Sequence, residues 1–305
     1  MMALASRHMA AACAGITANV LLGLSALFWK TLGALPPLTL LTARIIASLA
    51  ALLLIMGALG RLRALAQRVS WRDVAIHVTA AILVACNWLT FIWASIQGHV
   101  VESGLGYLLA PFVAIAAGRL VFGETMSPTR LAALLLIAGC VLLLAFRSQE
   151  LQHRVYLIIG ITWGAYACLK KIATLDAFGG LLCETLVLAL LLPALAWSGA
   201  LHLAWPPPLT SATWALLAAS GLVSVLPLWL FSLAAARLPI TIMGFFQFVL
   251  PVTQLLVAVL VYHQTLSANS ALCFGLICAA LLLMLCEPVL TRVVGAARGN
   301  RRDAH

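Results

Sequence analysis

Residues 87–111, NWLTFIWASIQGHVVESGLGYLLAP, and residues 227–251, PLWLFSLAAARLPITIMGFFQFVLP, decide the fold when one is laid over the other. At an offset of 140 and without gaps, Phe91 falls on Phe231, Gly104 on Gly244 and Pro111 on Pro251. Carried on to 87–144 over 227–284, the same register sets Thr125 on Thr265, Ser127 on Ser267, Phe122 on Tyr262 and Glu124 on Gln264. Upstream, Gly15-Ile16-Thr17 matches Gly160-Ile161-Thr162 at an offset of 145, and His8 matches His153. Leu/Ala-rich helices align by composition alone. Gly, Pro, Thr and Ser in register at helix ends are harder to obtain that way.

The repeat is written in an apolar chain. Of 305 residues 64% are hydrophobic and 9% charged, and the mean hydropathy is +1.12. Soluble domains carry about 25% charge to cover their surface, so the solvent here is lipid. About 20 helical residues cross a bilayer core, and ten spans with short loops use the whole length. The apolar runs fall at 9–29, 36–57, 72–95, 100–122, 128–146, 154–172, 178–198, 210–234, 239–262 and 267–288. The first follows Arg7 as a signal peptide would, but no small-residue cleavage site precedes Lys30, and we expect a retained span. The expected fold is all-α and membrane-integral, with ten transmembrane helices in two five-helix repeats at 8–146 and 153–288 and a basic cytoplasmic tail at 289–305. Five is odd, so the second repeat enters the membrane inverted, the plan of secondary transporters.

The net charge of +10 is a topology signal. Fourteen Lys and Arg fall in one set of alternate loops and ends and three, Lys30, Arg147 and Arg154, in the other, with Arg44 left inside a span. The positive-inside rule puts both termini in the cytoplasm. No amphipathic basic face or aromatic-basic platform supports nucleic-acid binding.

Function is expected in the polar residues inside the spans. Span 4 opens with Glu102, Ser103, Gly104 and Tyr107 and carries Pro111. Span 9 carries Gly244, Gln247, Pro251 and Gln254 along one helix face. Gly104, Pro111, Gly244 and Pro251 are candidate helix breaks for gating. Span 6 sets Thr162, Tyr166 and Lys170 one turn apart with Trp163 beside them, and span 3 carries Asn87, Trp88, Thr90 and Gln97. Such faces suit a wet cavity, although interhelical packing also uses Gly and Gln. Trp88, Trp163 and Trp229 lie deep, whereas Trp29, Trp71, Trp197, Trp205 and Trp214 sit near span ends, as an interfacial belt does.

Two charges lie deeper still. Arg44 falls about 12 Å into span 2, and Glu184 some six residues into span 7. A charge near the bilayer centre costs about 2.5–3.5 kcal/mol on insertion scales, so each needs a partner or water. The offset of 140 maps one onto the other. Glu184 is therefore read as the counter-ion of Arg44 or as a proton-binding carboxylate, with a snorkelling side chain as the plainer alternative. Glu102 suits helix capping as well as gating. Glu124 and Arg119 read as a solvated local pair. His8, His153, His202 and His305 carry no functional reading, and His77, His99 and His263 stay open.

No CxxC pair or His/Cys cluster has metal spacing, and no phosphate loop, HExxH or GxSxG occurs. We expect no enzyme, cofactor or metal. The eight cysteines read as membrane-packing residues. The expected partners are the lipid bilayer, a small-molecule substrate and protons, for a monomer or homodimer. A channel-like facilitator and a non-transporting scaffold are the alternatives to a carrier.

The run Asn87-Trp88, Trp93-Ala94, Gly98-His99-Val100-Val101-Glu102, Leu105-Gly106-Tyr107 and Pro111 resembles the third and fourth helices of RarD-type permeases. These form part of the EamA branch of the drug/metabolite transporter superfamily. Further matches are Trp29-Lys30, Pro37, Arg44-Ile45 and Ser48; Gly164, Tyr166 and Lys171; Gly180-Leu181 and Glu184-Thr185; and Pro227, Phe231, Gly244-Phe245, Gln247 and Pro251. The resemblance implies a ten-helix inner-membrane carrier of two EamA repeats with cytoplasmic termini. It also implies a cavity lined by spans 1, 3, 4, 6, 8 and 9, and export of small metabolites or drugs. Ile96 and Ala110 stand where the family usually has Asn, making that wall more apolar.

Overall fold

The structure, a computed structural model, describes residues 2–97, 99–147, 152–199, 209–261, 263, 271–273 and 275–282. The described residues include the helices α1 Met2–Thr31, α2 Pro37–Ala58, α3 Leu62–Arg68, α4 Trp71–Gln97, α5 Val100–Leu120, α6 Pro128–Arg147, α7 His153–Ile172, α8 Ala177–Trp197, α9 Ser211–Arg237, α10 Ile240–Gln247 and α11 Val249–Leu260. Among those residues eight helical spans are long and apolar enough to cross a membrane, α10 and α11 counting as one, with Pro128–Leu143 and Ala271–Leu282 shorter. The chain is a multi-pass membrane protein. Part of the tenth expected span, the tail at 289–305, and Tyr262, Gln264, Thr265 and Ser267 of the repeat lie outside the described residues.

Local chemistry sets the helix ends. Pro37 opens α2 at a position where its missing N–H costs nothing. At the start of α4, the Asp73 carboxylate accepts from Ser70 N at 2.9 Å while Ser70 Oγ accepts from Asp73 N at 3.2 Å, a reciprocal capping box. Thr210 caps α9 by accepting from Thr213 N. Pro251 has no N–H to give the Gln247 carbonyl, and there the ninth span divides at Phe248 into α10 and α11. The fourth span differs. α5 runs unbroken through Gly104 and Pro111.

Glu124 is an inter-element cap. Gly123, at φ +63°, turns the chain after α5, and Glu124 N donates to the Gly118 carbonyl at 2.9 Å. The Glu124 carboxylate then accepts from Ile240 N at 2.8 Å, Thr241 N at 2.9 Å and Thr241 Oγ1 at 2.7 Å, closing the N-terminus of α10. The expected Glu124–Arg119 pair is not formed, because two backbone donors and a hydroxyl on a helix end hold the carboxylate in one place.

Helices in lipid gain little by hiding apolar surface from one another, so close backbone approach has to hold them together. Glycine makes the approach. A Cβ at Gly164 would lie 2.5 Å from Val113 Cβ, and one at Gly106 would lie 2.6 Å from Ile159 Cβ, which locks α5 against α7. A Cβ at Gly221 would lie 2.3 Å from the Ala47 carbonyl oxygen, where α9 crosses α2. Further contacts join α1 to α9 and α11, α4 to α7 and α8, and α5 to α10. The outer surface is the reverse of a soluble one: Leu54, Leu120 and Leu190 are 74%, 85% and 67% exposed. Hydrocarbon is the solvent such a surface needs.

Candidate functional site

A narrow cleft is built from the C-terminal halves of α1 and α4, the N-terminal halves of α2 and α5, and α7 and α11. It is lined by Leu22, Ser25 and Trp29 of α1, Arg44 of α2 and Asn87, Trp88 and Phe91 of α4. Tyr107 of α5, Trp163 of α7 and Leu250 and Gln254 of α11 close it. Leu22, Ser25 and Trp29 stand at i, i+3 and i+7, so one face of α1 supplies that wall.

Arg44 is buried, at 4% exposure, and stacks on indoles. Its guanidinium carbon lies 3.5 Å from the centroid of Trp88 and 4.9 Å from that of Trp29. Desolvated stacking of this kind contributes about 2 kcal/mol, close to the cost of placing an arginine in the membrane. The charge is tolerated without being neutralised. Among the described residues no carboxylate pairs with Arg44, and its Nε has no hydrogen-bond partner.

Asn87 is spent on the wall. Its Nδ2 donates to the Ile159 carbonyl and to Thr162 Oγ1, each at 3.1 Å, and its Oδ1 accepts from Tyr107 OH at 3.1 Å. One amide thus ties α4, α5 and α7 together.

A second polar cluster lies near the other ends of α4 and α7. Glu184 of α8 accepts from Lys170 Nζ at 2.8 Å and from Tyr166 OH at 3.0 Å, and His77 Nδ1 lies 2.8 Å from Glu184 Oε1. All four side chains are buried. Gly180 makes the room, since a Cβ there would meet the His77 ring at 2.6 Å. An aromatic column joins this cluster to the cleft. Tyr107 meets Trp163 edge-on at 6.4 Å, Trp163 stacks on Tyr166 at 5.5 Å, and Tyr166 holds Glu184.

The structure sorts the expected site residues into groups. Asn87, Trp88, Tyr107 and Trp163 line the cleft with Arg44; Tyr166 and Lys170 belong to the Glu184 cluster; Thr162 supports Asn87 from behind. Glu102 is elsewhere, 3.0 Å from His99 Nδ1 and 3.4 Å from Gln152 N at the start of α7. Gln247 is buried beyond the lining, with both amide atoms unpartnered. Glu184 is not the counter-ion of Arg44: Lys170 and His77 occupy it. Trp29 is not in an interfacial belt, since it packs on Arg44, whereas Trp71, Trp197 and Trp214 are exposed as expected and Trp205 lies outside the described residues. The cleft draws on the second span through Arg44, and α9, the eighth, contributes no lining residue. Ser25, Phe91 and the role of His77 were missed. The face of α1 and a lone histidine in an apolar helix were the available signals.

A polytopic helical bundle with a charged, aromatic cleft inside its spans has the construction of a membrane transporter. The comparisons agree. The chain is 32% identical over 274 residues to "Uncharacterized transporter YojE" of Bacillus subtilis, covering 87% of this chain and 89% of that one. It is 32% identical over 295 residues to "Protein RarD" of Streptomyces exfoliatus, covering 93% and 90%. With "Protein RarD" of Escherichia coli K12 the identity is 29%, over 91% and 94%. No family model matches the chain. One crystal structure shares the fold at a TM-score of 0.70 and 21% identity, covering 90% of this chain and 97% of that one. The chain belongs to the RarD family of permeases.

Proposed function

We propose that this protein is a secondary carrier that moves a small metabolite or drug-like solute out across the bacterial inner membrane by alternating access. The observation that carries the reading is the cleft, where six helices from both halves of the chain converge on one buried cation and a set of indole and phenol rings. Two inverted five-helix halves, 8–146 and 153–288, with cytoplasmic termini form its frame. Helix contacts that come in exchangeable pairs support this plan. α5 packs on α7 as α1 packs on α10 and α11, α4 on α7 as α9 on α1, and α2 on α9 as α8 on α4. Each pair becomes its mate when α1, α2, α4 and α5 are swapped with α7, α8, α9 and α10–α11.

The break at Phe248 supplies a hinge in the ninth span, and the Glu184 cluster is the proposed proton site. Protonating Glu184 would release Lys170 and loosen Tyr166, whose ring carries the change to Trp163 in the cleft wall. Counterflow in proteoliposomes tests the reading. A carrier concentrates labelled substrate against unlabelled substrate trapped inside, and a pore does not. In Glu184→Gln protein we expect counterflow to persist and its dependence on pH to flatten; transport that stays as pH-dependent as in the native protein removes Glu184 from coupling.

A further inference from the structure

The cleft is rich in donors and poor in acceptors, and that imbalance specifies its ligand. Arg44 Nε and Trp163 Nε1 are both buried without a hydrogen-bond partner, and both groups can only donate. Two acceptors nearby are occupied: Asn87 Oδ1 takes the Tyr107 hydroxyl, and Thr162 Oγ1 takes Asn87 Nδ2; Ser25 Oγ, which donates to the Leu22 carbonyl, is a neutral acceptor that remains. Gln254 is the lining amide left to adapt. No residue lining the cleft is acidic, whether it comes from α1, α2, α4, α5, α7 or α11. Glu184, the buried carboxylate of the second cluster, is engaged by Lys170, His77 and Tyr166.

We infer that the cleft binds a small monocarboxylate with a planar or aromatic body, its carboxylate on Arg44. The inference rests on the reading of the cleft as the substrate site. Trp88 at 3.5 Å occupies a face of the guanidinium, so its N–H edge is what remains for a ligand. A carboxylate matches that edge with two parallel hydrogen bonds. One arginine neutralises one negative charge, which favours a monoanion over a phosphate dianion. Trp29, Phe91, Trp163, Leu22 and Leu250 provide an apolar bed for the remainder. An ammonium group on the ligand would meet aromatic faces but no carboxylate in the wall, and the Arg44 charge would repel it.

Three probes of one shape test this on the full-length protein in detergent at pH 7: 3-phenylpropionate, 3-phenylpropionamide and 3-phenylpropylammonium, each titrated by tryptophan fluorescence. We expect the carboxylate to bind at least tenfold more tightly than the amide, and the ammonium to bind most weakly. Arg44→Gln should erase the preference for carboxylate over amide, and Arg44→Lys should keep part of it. The series on the native protein needs no variant and stands if Arg44→Gln fails to fold. Equal or tighter binding of the amide overturns the inference, as does a carboxylate preference that survives in Arg44→Gln. Counterflow separates the two claims. Carboxylate binding without counterflow retains the site and removes the carrier, and counterflow of a neutral or cationic solute with no carboxylate binding does the reverse.

Discussion

At the residue scale, Arg44 and Lys170, both buried, are handled in different ways. Arg44 is stacked on indoles and left unneutralised, whereas Lys170 is paired with Glu184 at 2.8 Å and joined by His77 and Tyr166. Removing one member of a buried pair leaves the other uncompensated, at a cost of about 3–5 kcal/mol, but replacing both with apolar residues is often neutral. Lys170→Met should therefore lower the thermal midpoint in detergent sharply, and Lys170→Met with Glu184→Leu should recover most of it. A double variant no more stable than the single one would contradict the pairing. Arg44 and Glu184 were legible as important because a charge in an apolar run is costly wherever it occurs. Their partners were not. The offset of 140 equates the two residues, yet under the proposed inverted plan equivalent residues would fall at opposite depths, and Glu184 instead meets the Lys and His that α7 and α4 bring to it. Trp29 was misread for a related reason: nearness to a span end is visible in a sequence, but the direction the ring faces depends on which helix packs beside it.

At the element scale, the crossings rest on absent side chains. At Gly221 a Cβ would sit 2.3 Å from the Ala47 carbonyl oxygen, a backbone atom that cannot rotate away, whereas at Gly139 nothing lies within 4 Å. Gly221→Val should force α9 off α2 and abolish monodisperse protein, and Gly139→Ala should be silent. Size-exclusion chromatography and thermal melts check both, and a well-folded Gly221→Val would refute the close crossing. The eight helices long and apolar enough to cross a membrane were readable as apolar runs because span length and hydropathy are local properties. The division of the ninth span was readable from Pro251, yet Pro111 leaves α5 unbroken, so proline alone does not determine where a membrane helix parts. Glu124 was unreadable for the opposite reason. Its partners, Ile240 and Thr241, lie more than a hundred residues away, and a carboxylate near an arginine looks like a pair until the fold brings a helix end to it.

At the scale of the whole molecule, the proposed carrier rests on one movement: the cleft around Arg44 would open to each side of the membrane in turn. Ser25 and Gln254 line that cleft on α1 and α11. A single cysteine at either position, in a protein whose eight native cysteines have been replaced, reports which side water reaches it from. The decisive measurement is the rate of labelling of Ser25→Cys and Gln254→Cys by a membrane-impermeant maleimide, added to right-side-out and to inside-out vesicles, with and without 3-phenylpropionate. Alternating access predicts labelling from both sides, with rates that the ligand shifts in opposite directions. Labelling from one side alone under every condition, or equal labelling from both sides that the ligand leaves unchanged, would contradict it.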